Sequence, residues 1–109
     1  MAARFDMIES GICQIWKFQL EGPDNTIDLP KGSWVIDAQF QAGSGICIWA
    51  VVDTITKEKD TRRFRVIGTG HDFDWDFFDM QHIDTIQVDG LVWHIFEDLR
   101  VEDSKSDQH

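Results

Sequence analysis

An all-β fold, a compact single-domain sandwich or small barrel of about six to seven mainly antiparallel strands, follows from three properties of the sequence. Apolar and polar residues alternate with period two along most of the chain, and no convincing period of 3.6 residues is present. Clusters of Gly, Pro, Asn and Asp interrupt the alternation at short, regular intervals. The chain has 109 residues, enough for one domain and one core.

The elements follow in order. Cys13–Leu20 places Trp16, Phe18 and Leu20 on one face, and Ile15, Lys17 and Gln19 on the other. Glu21-Gly-Pro-Asp-Asn25 is a turn, Thr26–Leu29 a short strand, and Pro30-Lys-Gly-Ser33 its stop. Trp34–Gln41 alternates cleanly, with Trp34, Ile36, Ala38 and Phe40 opposite Val35, Asp37, Gln39 and Gln41. After the turn Ala42-Gly-Ser-Gly45, Ile46–Val52 is apolar on both faces, the pattern of a strand covered on two sides and therefore central. Asp53–Thr61 is polar and suits an exposed connection. Arg62–Ile67 returns as a strand, with Phe64 and Val66 opposite Arg63, Arg65 and Ile67. His82–Val88 and Leu91–Phe96 flank Asp89-Gly90, a strong hairpin signal, because a type I′ turn requires positive φ at both central residues. Asp72–Met80 allows one helical turn at most. Residues 1–10 read as a flexible start, 11–101 as the β domain, and 102–109 as a disordered acidic tail.

Charge divides the chain unevenly. Of the net −10, residues 1–71 carry nine acids and eight bases, whereas residues 72–109 carry eleven acids and only Arg100 and Lys105. That field opposes nucleic-acid backbones and anionic membranes and favours a basic partner; it also keeps a small domain soluble. Met1-Ala-Ala-Arg-Phe-Asp6 runs into Glu9 rather than an apolar core, so a signal peptide is not expected, and the reading is cytoplasmic. Cys13 and Cys47, each inside an apolar run and without a Cys-x-x-Cys pair, read as two buried free thiols in a reducing cytosol.

Five pieces of sequence occur in a recognisable order between Gln14 and Glu97: Ile15-Trp-Lys17, Leu29-Pro-Lys-Gly32, Ile48-Trp-Ala-Val-Val-Asp53, Phe64 with Gly68-Thr-Gly-His71, and Val92-Trp-His-Ile-Phe-Glu97. In this the chain resembles an uncharacterised family of small proteins encoded by bacteriophages and prophages. The resemblance implies a virus-associated protein expressed in a bacterial host. It carries over no functional residue, since that family has no established activity. Where the resemblance leads one to expect a plainer loop after His71, this chain has a run of aspartates and aromatics.

That run, Asp72-Phe-Asp-Trp-Asp-Phe-Phe-Asp79, holds four carboxylates among four large rings. Loops rarely carry so many rings and cores rarely carry so many carboxylates. Its rings therefore either plug one end of the sandwich or form a contact surface. In the second case Asp72, Phe73, Asp74, Trp75, Asp76, Phe77, Phe78 and Asp79 are the protein-binding residues, an aromatic anchor with an acidic rim.

Other chemistry is weaker. Asp72-x-Asp-x-Asp76 opens like a calcium loop, but the glycine and bidentate glutamate such a loop needs are replaced by Phe77 and Ile83. His71, His82 and His94 lack the tight spacing of zinc ligands. Gly68-Thr-Gly-His71 can form a backbone nest, and with Arg63 and Arg65 it offers a nucleotide-like ligand site: Arg63, Arg65, Thr69 and His71 on phosphate, with Trp75 stacked on a base. A glycine turn beside a solvated, basic edge strand explains the same residues. Serines in turns and thiols in apolar runs make no catalytic set, so an enzyme, a cofactor and a metal are not expected.

Two functional readings remain. The first is a non-enzymatic protein that engages a host defence or nucleic-acid-handling protein. The second is an oligomeric binder that sequesters a nucleotide-like ligand, with a structural virion component as a minor third. Homo-oligomerisation through an exposed edge or aromatic patch is compatible with each.

Overall fold

The computed structural model describes residues 11–74 and 79–100. Among the described residues, seven strands form two antiparallel sheets. In chain order they are β1 (Cys13–Gln19), β2 (Asp24–Pro30), β3 (Trp34–Gln41), β4 (Gly45–Asp53), β5 (Lys59–Gly68), β6 (Met80–Val88) and β7 (Leu91–Asp98). The smaller sheet has the order β1-β4-β3 and the larger β2-β5-β7-β6. They pack face to face as a sandwich, with β3 alongside β6 and β2 against β4.

The all-β expectation holds, and so does its central strand. β4 lies between β1 and β3, and its Ile48, Ala50 and Val52 are fully buried. Facing them from the larger sheet are Leu29, Phe64, Ile86 and Ile95, with Ile27, Val66, Ile83 and Trp93 packed around the rim of this core. Burying a side chain such as Phe64 contributes about 1.5–3 kcal/mol. The hairpin at Asp89-Gly90 forms as expected, with φ of 51° and 84°.

Three expectations are corrected. β3 does not alternate throughout: the register against β4 shifts between Val35 and Asp37. Ile36 is thereby the extra residue of a bulge, so Val35, Ala38 and Phe40 face inward, while Trp34 and Ile36 do not. The arginine-bearing β5 is not an edge strand but lies between β2 and β7. Cys13 is exposed, because β1 is an edge strand with little above or below it, whereas Cys47 is buried.

An internal ion pair closes one end of the sandwich. Arg62 on β5 donates from Nε to Glu97 Oε2 (2.5 Å) and from Nη2 to Glu97 Oε1 (3.1 Å), and its Nη1 reaches the Ser33 carbonyl in the β2–β3 turn (2.8 Å). The side chains of Arg62 and Glu97 are only 16% and 8% exposed. Nearby, the Gly32 amide donates to Asp60. At the end of β7, the Asp98 carboxylate is enclosed between Arg100 and Arg63.

Two consequences can be measured. Leaving Glu97 buried without its arginine should cost about 3–5 kcal/mol, so Arg62→Met should lower the urea midpoint steeply, while Arg62→Met with Glu97→Met recovers most of the loss. The Arg100 side-chain hydrogen bond holds the Asp98 carboxyl below its ordinary value of 3.8; burial opposes this, and the Arg100 amide and the charges of Arg100 and Arg63 reinforce it. The stabilisation from a depressed carboxyl is complete above the unfolded value and fades as pH falls through the folded one. Asp98→Asn should therefore be less stable than wild type at neutral pH, with the gap narrowing below pH 3.8 in acid-unfolding curves.

Candidate functional site

Opposite the Arg62–Glu97 end, the sandwich stays open. The end of β1, the β1–β2 turn, the β3–β4 turn, the end of β5 and the β6–β7 hairpin meet there around a cleft of about 510 Å³. Its walls are apolar: Leu20, Pro23, Phe40, Ile46, Val66, Val88 and Trp93, with His71 contributing a polar ring. Phe40 is 46% exposed at the mouth.

The position of His71 depends on Gly68. The His71 amide donates to the Gly68 carbonyl (3.0 Å), turning the chain so that the imidazole returns over β5 and meets Trp93 edge-on, with ring centroids 5.8 Å apart. A Cβ on Gly68 would stand 2.7 Å from His71 Cε1 and 3.0 Å from Trp93 Cζ3. Glycine at 68 is thus a requirement of close approach between rings and backbone rather than of φ.

Several residues adjoining the cleft lining are acidic. Glu21 follows Leu20, Asp72 follows His71 and Asp89 follows Val88, and all three are exposed, whereas Asp24, after Pro23, is ion-paired with Arg65. An apolar hollow with an acidic rim is the arrangement that results.

Beyond His71 the described residues of the β5–β6 connection leave this cleft. Both strands are antiparallel to β7, so they are parallel to each other, and β5 ends beside Trp93 whereas β6 begins beside Asp98, at the other end of β7. Phe73 lies on the outer face of the larger sheet, its ring 6.4 Å from that of Phe96, while Arg65 Nη1 donates to the Asp74 carbonyl (3.1 Å). Phe73 is 41% exposed, so it both covers Phe96 and presents part of its ring outward. Asp72 and Asp74 are exposed, and Asp79 accepts the Leu99 amide at its carbonyl (2.6 Å). Trp75, Asp76, Phe77 and Phe78 lie outside the described residues.

The residues proposed for a nucleotide are divided between two faces. Arg63 and Arg65 share the outer face of the larger sheet, as the alternation requires, and are ion-paired with Asp98 (3.9 Å) and Asp24 (3.3 Å). Thr69 belongs to that face too: its hydroxyl and that of Thr85 hold the two ring nitrogens of His94 (2.8 and 3.1 Å), and Thr85 also meets His82. His71, by contrast, lines the cleft. Among the described residues no group of three or more His, Cys, Asp or Glu could hold a metal ion, and no helix is long and apolar enough to cross a membrane.

Residues 13–106 match the model of a family described as a domain of unknown function, DUF7352. The chain belongs to this family. No curated protein and no solved structure matches it. The match takes in all seven strands of this DUF7352 domain and therefore every residue of the cleft and its rim.

Sequence reasoning placed candidates in the aspartate–aromatic run and missed the cleft. The available signal was the set of apolar residues at strand ends beside glycine turns: Leu20 before Gly22, Phe40 and Ile46 around Gly43 and Gly45, and Val88 before Gly90. In Gly68→Ala the new methyl group should push His71 away from Trp93 at a stability cost of about 1–3 kcal/mol. The ring-current displacement of the His71 imidazole protons in the NMR spectrum should then collapse, with the strand amide pattern retained.

Proposed function

We propose that this DUF7352 domain is a non-enzymatic binding module, and that the acid-rimmed end cleft is where it engages a partner protein. The guest is a bulky apolar side chain of the partner, flanked there by Lys or Arg residues that meet Glu21, Asp72 and Asp89. The observation that supports this reading is the contrast between an apolar hollow of about 510 Å³ and the exposed acids Glu21, Asp72 and Asp89 beside its lining. Buried apolar anchors supply most of the affinity of small interfaces, while rim charges set partner choice and encounter rate. Consistent with the phage-type resemblance of the sequence, the proposed partner is a host protein in the bacterial cytoplasm.

A nucleotide ligand is supported less well. The arginines that would hold its phosphates already have carboxylate partners, and they face away from the cleft.

The test is affinity capture from bacterial lysate with three proteins of matched melting temperature: wild type, Phe40→Ser, and Asp72→Asn with Asp89→Asn. Phe40 is half-exposed, so its loss leaves the core intact. A captured protein should bind Phe40→Ser at least about tenfold more weakly, a difference of about 1.4 kcal/mol. Binding to the double aspartate variant should be weaker at low salt and should show a flatter salt dependence. Equal retention by all three proteins refutes the cleft as the site, and a nucleotide retained in the native mass spectrum would favour the sequestering alternative.

A further inference from the structure

We infer that β1 is a self-pairing edge, through which two copies of this chain join their three-stranded sheets into one antiparallel six-stranded sheet. The inference is independent of the cleft.

The free edge of β1 is defined by its hydrogen bonding. Among the described residues β1 pairs with β4 alone, in an unbroken register from Cys13 opposite Asp53 to Gln19 opposite Cys47. The flanking bonds set the parity: Ile12 O accepts from the Thr54 amide (3.0 Å) and the Leu20 amide donates to Ile46 O (2.8 Å). In an antiparallel strand the N–H and C=O of one residue point to the same side, and alternate residues use alternate sides. Gln14, Trp16 and Phe18 therefore bond to β4. Cys13, Ile15, Lys17 and Gln19 direct their backbone groups outward, along an edge that no described strand occupies.

The other three edges are each guarded and β1 is not. β2 carries Asp24 and Asp28 and ends in Pro30. β3 is bulged at Ile36, and β6 shifts register between His82 and Asp84. Such devices block edge-to-edge pairing. β1 has no proline, no glycine, no bulge and no acid. Its one charge, Lys17, could guard the edge if it projected past it, but Lys17 Nζ reaches back across β4 to Gln41 Oε1 (2.6 Å). Both faces of the strand are open as well: Ile15 is 59% exposed on one and Trp16 37% on the other.

A second copy fits this edge better than a foreign strand because the edge is self-complementary. A two-fold axis through Trp16 matches all seven residues of β1 with their counterparts. Ile15 then faces Lys17 and Cys13 faces Gln19 of the second copy, and every outward N–H and C=O is paired. Trp16 meets its counterpart at the axis, in the closer, non-hydrogen-bonded type of pair. An axis through Lys17 would instead set two like charges opposite one another. Charge distribution agrees: β1 itself is free of acids, so pairing it with its copy sets no carboxylate of one strand against another. The two clefts come to lie at opposite ends of the joined sheet.

Sedimentation velocity and light scattering on the full chain test this, with a dimer expected at concentrations of about 100 μM, as befits a micromolar edge contact. In Ile15→Pro the lost N–H faces the free edge and not β4, so the fold survives while the dissociation constant rises at least about tenfold. Trp16→Cys in a Cys13→Ser background provides a second measurement that does not depend on proline being tolerated. Mild oxidation should give a covalent dimer, since non-hydrogen-bonded partners lie within disulfide reach and Cys47 is buried. A monomeric wild type overturns the inference, whether β1 then receives a strand of another protein or residues 1–10 of its own chain. So does a dimer unaffected by Ile15→Pro, or one that fails to cross-link through Trp16→Cys.

Discussion

The contact between Arg62 and Glu97 sets the polarity of the whole sandwich. A guanidinium on an interior strand is turned into the space between the sheets, where it joins β5, β7 and the β2–β3 turn through three hydrogen bonds. Charges so placed are tolerated only when every donor is engaged, which requires the turn and both strands to be held in one arrangement. That end is consequently plugged by polar groups. The apolar side chains are left to line the opposite end, where no comparable pair among the described residues closes the gap between the sheets.

The other two arginines of β5 serve a different purpose. Arg63 and Arg65 lie on the outer face, where their carboxylate partners and the Asp74 carbonyl secure the C-terminal end of β7 and the described start of the β5–β6 connection. Phe73 is set against Phe96 and the Asp74 carbonyl accepts from Arg65, while Thr69 at one end bonds to His94 and the Asp79 carbonyl at the other accepts the Leu99 amide. The described aspartates Asp72 and Asp74 thus sit on backbone held from beneath. The first of them, next to His71, brings negative charge to the mouth of the cleft.

Much of the architecture was legible in the sequence, and what was not has a specific physical origin. Periodicity and turn residues were sufficient to locate seven strands, and the two-sided apolar character of Ile46–Val52 identified a central one, because these signals are local. Pairing is not local. Nothing within Arg62–Ile67 says that β2 and β7 flank it, so its charges looked like edge protection when they are in fact satisfied by neighbouring strands. A bulge is equally invisible to alternation: Ile36 shifts the later part of β3 by one residue, which brings Phe40 inward in register with Ile46 and sends Trp34 outward. The cleft was hidden for a similar reason, since its lining is drawn from four separated stretches, each of which alone reads as an ordinary strand end. Cys13 was misplaced because an apolar run was equated with burial, and an edge strand with two open faces breaks that equation.

The placement of β7 between β5 and β6 has a bearing on how the protein is made. The larger sheet receives β7, one of its two interior strands, after both strands that flank it, so neither β5 nor β6 has its full set of partners until β7 has left the ribosome. Pairings between distant stretches of chain form slowly, and unfinished sheets expose their edges while they wait. Acquisition of structure in this sheet is thereby deferred to the late phase of synthesis, and a nascent chain stalled before Leu91 would hold two flanks with nothing between them.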